Sequence, residues 1–195
     1  LYTASAMESF VVSAEICEDL WSPVPPSIAA ALEGATLIVN CSASDETVGK
    51  DEYRRSLVCG QSGRLICGYI YANAGEGEST TDLVFAGHNL IAENGVILKE
   101  SGRFRNGAVY SEIDLKRLMS ERRRNTTFRP AAEHVLKRIP FEIGVEDTAL
   151  TRKIPSSPFV PDREEDRAKR CEEILMIQAM GLKKRIAHTH AKNVV

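Results

Sequence analysis

The N-terminal part of the chain contains three short apolar runs, separated by segments with the length and composition of helices. The runs are residues 10–17, 36–40 and 65–72. Pro26 suits the first turn of a helix over residues 27–33 that Gly34 ends, and residues 51–64 also have a helical pattern. Strands that alternate with helices are typical of α/β folds. The near-continuous apolar character of the first run predicts a strand covered on both faces.

The middle of the chain has a different pattern. Two apolar segments, residues 88–93 and 96–100, flank the dipeptide Asn94-Gly95, which is a strong signal for a type I′ hairpin. Residues 108–113 predict a further strand. The sequence therefore predicts an α/β fold with antiparallel strands at the edge of its sheet.

A helix over residues 115–124 is predicted next, with Asp114 as its cap. It ends in Arg122-Arg123-Arg124, where cations complement the helix dipole. We interpret this run as a solvated helix end and not as a nucleic-acid patch, because the net charge of the chain is −2.

The composition changes again near Leu150. Residues 150–162 are rich in Thr, Ser and Pro and predict a linker, and an amphipathic helix begins at Arg163. The apolar stripe of this helix consists of Ala168, Cys171, Leu175, Ala179, Leu182 and Ile186. Residues 191–195 resemble the opening of a strand. The predicted organisation is one domain over residues 1–149, the linker, and the start of a second domain over 163–195.

Charge, hydropathy and cysteine count exclude several classes of protein. The near-neutral balance gives no general attraction to nucleic acid, and no apolar run is long enough to span a membrane. The five cysteines fit neither a zinc template nor a disulfide framework, so we expect a cytoplasmic protein without a metal site, in which most thiols are buried. The chain starts without Met or a signal peptide, which indicates a fragment or a processed piece.

Cys17 is the candidate nucleophile, because it ends the first apolar run and precedes a turn. Strand ends in α/β proteins deliver side chains rigidly into a crevice. The alternative is an inert buried thiol. The loop over residues 41–50 carries hydroxyls and Lys50, which could hold the charged backbone of an amino acid; a plain solvated loop is the alternative. No histidine is placed for a papain-like dyad, and Gly75-x-Gly77 predicts a tight turn.

Seven stretches of the chain carry motifs with a common resemblance: residues 15–27, 40–44, 51–55, 75–85, 92–95, 157–161 and 181–185. Together they resemble the glutaminase domain of glutamine-dependent NAD⁺ synthetases, which belongs to the nitrilase (carbon–nitrogen hydrolase) superfamily. The resemblance implies the C-terminal half of an α-β-β-α sandwich, followed by the linker and the first helix of an ATP-pyrophosphatase-type α/β domain.

The same resemblance implies roles for four residues. Cys17 corresponds to the nucleophile of a Glu-Lys-Cys triad that releases ammonia from glutamine, and Glu18, Ser44 and Lys50 match positions that bind glutamine. Many relatives carry Arg where this chain has Lys50, so a bidentate clamp becomes a point-charge contact. The family passes the ammonia to an ATP-dependent amidation of nicotinic acid adenine dinucleotide and forms homo-oligomers.

The resemblance also indicates missing parts. The triad Glu and Lys would precede Leu1, and the ATP-site motif, with its ATP and Mg²⁺, would follow Val195, so no cofactor is expected in this chain. We expect the isolated 195-residue chain to be inactive. Two alternatives stay open: a stand-alone nitrilase-type amidase, against which the linker and last helix argue, and a non-catalytic interaction module.

Overall fold

The computed structural model describes residues 1–78, 82–132, 135–154, 156–157 and 159–192. The chain divides into two compact units, Leu1–Arg152 and Lys153–Val195, which are described separately below. The first unit contains the sheet and the candidate site. The second unit contains a single long helix among its described residues.

Seven strands of the described residues form one mixed sheet in the first unit. They are β1 (Tyr2–Ala4), β2 (Val11–Ile16), β3 (Leu37–Ser42), β4 (Gly68–Asn73), β5 (Leu90–Glu93), β6 (Val96–Glu100) and β7 (Ile139–Phe141). Their order across the sheet is β6-β5-β4-β3-β2-β1-β7. Strands β2, β3 and β4 run parallel, whereas β5 and β6 join as antiparallel strands. The predicted α/β core with antiparallel strands at its edge is confirmed.

The helices that connect the parallel strands also follow the sequence prediction. Helix α1 (Pro26–Leu32) has Pro26 in its first turn and packs against β2. Gly34 follows it with φ of +109°, a value that suits glycine because no Cβ meets the backbone. Helix α2 (Lys50–Leu65) packs against β4 and β5. Both helices bury apolar side chains: Ala30 and Ala31 from α1, and Val58 and Leu65 from α2.

The predicted burial of the first strand on both faces is wrong. Val11 and Glu15 lie on one face of β2 and are buried. Ala14 and Ile16 lie on the other face and are exposed. The alternation follows from strand geometry, since neighbouring side chains point to opposite faces and the described residues cover this strand on one face. An apolar composition alone does not distinguish these two cases.

The hairpin prediction is confirmed, and the strand predicted after it is wrong. Asn94 and Gly95 both have positive φ, +46° and +85°, as a type I′ turn requires. Residues 108–113 form no strand. The Glu112 carboxylate at the end of this segment accepts hydrogen bonds from the backbone N–H groups of Thr151 and Arg152, at 2.8 and 2.6 Å. The segment is thus held by side-chain contacts to a distant loop instead of a strand ladder.

Helix α3 (Leu115–Arg124) is capped as predicted, but its last turn is not fully solvated. The Asp114 carboxylate accepts the Arg117 N–H at 2.9 Å. Arg122 is buried, and its guanidinium donates to the carbonyls of Ala35 at 2.7 Å and Leu65 at 2.9 Å. The interpretation of the arginine run as a solvated helix end is therefore wrong for Arg122, which binds backbone carbonyls that helix α2 and the loop before β3 leave unpaired.

The second unit contains helix α4 (Glu164–Thr189), which begins one residue after the predicted start. None of its described side chains is buried, and the predicted apolar stripe is exposed except for Ile186, which is half-buried. Residues 193–195 of the predicted last strand, and Pro155 and Pro158 of the predicted linker, lie outside the described residues. Among the described helices none is long and apolar enough to cross a membrane.

Candidate functional site

A cavity of about 360 Å³ lies where the parallel strands β2 and β3 end. The C-terminal ends of parallel strands meet at one edge of a sheet, which is where α/β proteins bind ligands. Its wall is formed by Cys17, Glu18, Trp21, Ser42, Ala43, Ser44, Asp45 and Lys50. The four residues singled out from the sequence, Cys17, Glu18, Ser44 and Lys50, are thus brought together in one cavity.

Cys17 begins the short 3₁₀ helix Cys17–Trp21 directly after β2, and its backbone is strained. Its φ is +47°, in the left-handed region that L-residues other than Gly, Asn and Asp seldom occupy. Such a conformation costs about 1–2 kcal/mol for a residue with a Cβ. Strain of this kind persists where the surroundings enforce it, and it concentrates at functional sites.

The side chain of Asn40 on β3 holds the backbone of Cys17. Asn40 Oδ1 accepts the Cys17 N–H at 3.1 Å, and Asn40 Nδ2 donates to the Cys17 carbonyl at 3.3 Å. Asn40 pairs with Glu15 in the ladder between β3 and β2, and Cys17 follows directly after the end of β2. One buried amide therefore satisfies both backbone groups of the strained residue.

Asn40 belongs to a buried polar network beneath the cavity. Asn40 Nδ2 also lies 3.3 Å from the hydroxyl of Tyr69, and that hydroxyl donates to the Glu15 carboxylate. The other Glu15 oxygen accepts the Ser27 N–H at 3.0 Å, and Ser27 Oγ accepts from Gln61 Nε2 at 2.8 Å. All five residues of this network are at most 2% exposed. Burial and the neighbouring carboxylate raise the pKa of Tyr69, so its hydroxyl keeps its proton.

The loop after β3 supplies the polar wall of the cavity. Ser44 is buried, and its backbone N–H and carbonyl pair with the side-chain amide of Asn73 on β4, at 2.9 and 3.2 Å. Lys50 begins α2, and its Nζ lies 2.7 Å from Asp45 Oδ1. This ammonium lowers the pKa of Asp45 through the hydrogen bond and its charge. The loop thus presents one cation and one anion to the cavity, in contact with each other.

The aromatic part of the site comes from Trp21, which stacks on Tyr71 with ring centroids 6.2 Å apart. The Tyr71 hydroxyl lies 2.6 Å from Ser42 Oγ, and burial raises the pKa of this tyrosine. Tyr53 of α2 packs edge-on against Trp21. Trp21 thus lines the cavity with a tyrosine ring packed on each of two sides, and the Tyr71 hydroxyl gives Ser42 Oγ a hydrogen-bond partner.

Behind the loop lies an ionic cluster that the sequence analysis missed. Arg54 of α2 is fully buried and donates to Glu46 Oε2 at 2.9 Å and pairs with His88 Nδ1 at 2.9 Å. His88 Nε2 in turn lies 2.7 Å from Glu100 Oε1 on β6. The cluster connects the loop over residues 41–50 to the hairpin and so supports the position of the cavity wall. Its sequence signal was weak, because Arg54 and His88 are 34 residues apart in the chain and no motif connects them.

Asn40 and Glu15 were also missed, although a signal existed. Each is a polar residue inside a largely apolar strand, and each is buried. Buried polar groups need partners, so such residues indicate a network. Identifying the partners required the strand order, because Tyr69 comes from a third strand.

The other cysteines differ from the expectation that most are buried. Cys67 is buried, Cys59 is half-buried, and Cys41 and Cys171 are exposed. All five cysteines lie within the described residues and are free thiols. Burial raises the pKa of Cys67 to about 12, which keeps this thiol neutral and unreactive. Across the described residues no group of three or more His, Cys, Asp or Glu side chains could hold a metal ion.

Sequence comparison relates the chain to one class of enzyme. No family model matches it. Glutamine-dependent NAD(+) synthetase of Mycobacterium tuberculosis (strain ATCC 25618 / H37Rv) is 42% identical to it over 196 residues, covering 95% of this chain and 29% of that protein. The protein of the same name from Aquifex aeolicus is 28% identical, covering 94% of this chain and 31% of its own length. The chain thus spans about 29% of the first of these relatives and 31% of the second.

Structural comparison concerns the fold. Nit3 of Saccharomyces cerevisiae, a member of branch 10 of the nitrilase superfamily, matches with a TM-score of 0.50 at 20% identity, covering 60% of this chain and 42% of that chain. By sequence the chain is therefore homologous, over nearly its whole length, to one segment of the glutamine-dependent NAD(+) synthetases, and by fold it is a nitrilase-type α/β protein.

Proposed function

We propose that this chain forms the nucleophile-bearing part of a glutaminase site in a glutamine-dependent NAD⁺ synthetase. The observation that carries the proposal is the position of Cys17. It has a strained backbone at the end of a parallel strand, in a cavity that it shares with Ser44 and Lys50. The relatives named for dependence on glutamine match the chain along 95% of its length, including this region.

The proposed reaction begins with attack of the Cys17 thiolate on the side-chain amide carbon of glutamine. The C–N bond breaks, ammonia leaves with a proton from a general acid, and a glutamyl thioester stays on Sγ. Water then adds to the thioester and releases glutamate and the free thiol. By the resemblance of the motifs, a Glu of the complete protein would serve as acid and base, and a Lys would stabilise the oxyanion.

Binding of the amino-acid part of glutamine is assigned to three residues of the cavity. Lys50 supplies a positive charge for the α-carboxylate, and Glu18 supplies a negative charge for the α-ammonium. Ser44 supplies a hydroxyl in a loop segment that Asn73 holds at both backbone groups. Together with Asp45, which pairs with Lys50, these residues give the cavity charges of both signs and a hydroxyl, which suit a zwitterion better than an uncharged amide. This arrangement therefore favours glutamine over the substrates of a stand-alone amidase.

The complete enzyme would use the released ammonia in a second reaction. We propose that it passes to an ATP- and Mg²⁺-dependent site, formed by a domain that begins at residue 163, where nicotinic acid adenine dinucleotide is amidated to NAD⁺. A sealed path would be needed, because ammonia that reaches water is protonated and no longer a nucleophile. Residues 1–149 would then be the glutaminase part and 150–162 the linker, in a homo-oligomer. The five free thiols support a reducing, cytoplasmic location.

The test is glutamine hydrolysis by the complete gene product, measured as formation of glutamate and ammonia. Cys17→Ala is expected to abolish it, and a diazo-ketone analogue of glutamine is expected to label Cys17 and no other thiol. Cys41→Ala is the matched control, since Cys41 is an exposed thiol whose neighbour across the ladder is Ile16. It should retain wild-type turnover.

Three results would contradict the proposal in different ways. Full activity of Cys17→Ala would exclude the nucleophile, and an unlabelled Cys17 in the wild type would favour a non-catalytic module. Hydrolysis of simple amides in preference to glutamine would favour a stand-alone amidase. We also expect no glutamine turnover from the isolated 195-residue chain; turnover that Cys17→Ala removes would show that this chain alone is sufficient.

A further inference from the structure

The buried amide of Asn40 has a fixed orientation, and this orientation follows from the groups around it. The Glu15 carboxylate offers oxygens to the Ser27 N–H and to the Tyr69 hydroxyl, so Tyr69 donates its only proton to Glu15. The Tyr69 oxygen is then left as an acceptor for Asn40 Nδ2 at 3.3 Å. Because Glu15 can only accept, it determines that Tyr69 donates to Glu15 and that Asn40 donates to Tyr69.

The same orientation decides how Asn40 meets Cys17. With Nδ2 directed to Tyr69, its second proton reaches the Cys17 carbonyl at 3.3 Å, and Oδ1 is left to accept the Cys17 N–H at 3.1 Å. Each of the three contacts of the amide therefore joins a donor to an acceptor. No other ordinary side chain of this size offers one acceptor and two donors in this arrangement.

We infer that Asn40 is a positioning residue for Cys17, whose amide holds the nucleophile in its left-handed backbone conformation and so aims Sγ into the cavity. The inference rests on the proposed glutaminase function. Asn40 does not line the cavity, so it acts on the reaction through Cys17 alone. The strain at Cys17 makes such support necessary, because without the two hydrogen bonds the residue is free to relax to negative φ.

Asn40→Asp is the informative substitution, because the two side chains have the same shape. Asp keeps an acceptor for the Cys17 N–H but places a second oxygen against the Cys17 carbonyl and the Tyr69 oxygen, neither of which has a proton to give. It also puts a second carboxyl group near Glu15. The substitution therefore removes the N–H donors that Asn40 offers to Cys17 and Tyr69, and it leaves the volume of the side chain unchanged.

The experiment compares Asn40→Asp and Asn40→Ala with Ser27→Ala in the complete gene product. Ser27 lies at the other end of the same buried network, where its hydroxyl accepts from Gln61, and it makes no contact with Cys17 in the described hydrogen bonds. Ser27→Ala should lower the melting temperature and leave kcat for glutamine hydrolysis unchanged. It therefore measures how much a weakened network alone affects the reaction.

For both Asn40 variants we expect kcat per folded molecule to fall about 100-fold, since displacement of a reacting atom by an ångström has an effect of this size. KM for glutamine should stay within about threefold, because Ser44 and Lys50 are untouched. Labelling of Cys17 by the diazo-ketone analogue should slow in parallel with kcat.

A kcat within about threefold of wild type in folded Asn40→Asp would overturn the inference. So would an equal loss of kcat in Ser27→Ala, which would indicate general softening of the network. If neither Asn40 variant can be obtained folded, Asn40 is a folding residue and the positioning role is likewise overturned. An inactive wild-type protein with an unlabelled Cys17 is a separate result, since it overturns the proposed function itself.

Discussion

Lys50 Nζ lies 2.7 Å from Asp45 Oδ1 in the wall of the Cys17 cavity. The two side chains are 20% and 39% exposed, so water screens the pair and it contributes little to stability. The ammonium is held in place by this partner and still lines the cavity, with 20% of the side chain exposed. This geometry suits a residue that must be oriented in advance and still attract a carboxylate.

The first prediction concerns this lysine. Lys50→Met should raise KM for glutamine by about 10- to 100-fold, since a hydrogen bond to a charged group contributes about 1.5–3 kcal/mol. Lys50→Arg should keep KM near the wild-type value, because guanidinium also pairs with carboxylates. The measurement is the glutaminase KM of the complete gene product. An unchanged KM in Lys50→Met would remove Lys50 from the binding site.

The second prediction concerns Arg122. Replacing it with Leu should lower the free energy of unfolding by about 3 kcal/mol, because the buried carbonyls of Ala35 and Leu65 lose a charged donor. The guanidinium also lies over the Phe128 ring, 4.8 Å from its centroid. Urea unfolding gives the difference. Arg123→Leu is the matched control, an exposed neighbour on the same helix that should change stability by less than about 0.5 kcal/mol.

The third prediction compares two glycines in α2. A Cβ on Gly63 would lie 3.2 Å from the Cα of Gly95 in the hairpin turn, whereas one on Gly60 would meet nothing within 4 Å. Gly60→Ala should therefore stabilise the protein by about 0.5–1 kcal/mol through helix propensity. Gly63→Ala should lose this gain, because the turn must move to admit the methyl group. Thermal unfolding distinguishes them, and equal stabilisation by both would contradict the close approach.

The fourth prediction is the pH dependence of stability due to Cys67. Burial raises the pKa of this thiol from 9.0 to about 12 in the folded state. The unfolded thiol ionises first, so the stabilising contribution is complete below pH 9.0 and is lost as the pH rises towards about 12. One such group changes the unfolding free energy by about 1.4 kcal/mol per pH unit in that window.

Cys67→Ala should remove this dependence. Its unfolding free energy, measured by urea between pH 8 and pH 10.5, should fall less steeply than that of the wild type, although the variant is less stable at neutral pH. Parallel curves for the two proteins would show that Cys67 ionises equally in the folded and unfolded states.

Much of the fold could be predicted from local patterns. Asn94-Gly95 has one favourable turn type, and Pro26 and Gly34 fix the ends of α1, so these elements appear where the sequence places them. The position of the cavity could also be predicted from the sequence, because the C-terminal ends of parallel strands meet at one edge of a sheet. Residues 108–113 show the limit: they have the composition of a strand, but Glu112 is committed to the backbone of Thr151 and Arg152.

The same limit applies to the supporting residues of the site. The sequence predicts Arg122 to be an exposed cation at a helix end, and only the structure shows that it binds the carbonyls of Ala35 and Leu65. In the sequence Asn40 is a polar residue without an evident partner, and only the structure shows its hydrogen bonds to Tyr69 and Cys17. In each case the partner is distant in sequence, so the pattern along the chain carries no information about the pairing.

The positive φ of Cys17 has a consequence for the choice of residue at that position. Glycine is the amino acid that this backbone accommodates best, yet the chain carries a side chain there. Cys17→Gly would relieve about 1–2 kcal/mol of local strain, partly offset by the greater freedom of glycine in the unfolded state. Cys17→Gly thus removes the thiol and at the same time suits the backbone better. At position 17 the residue that favours folding and the residue that can react are different amino acids.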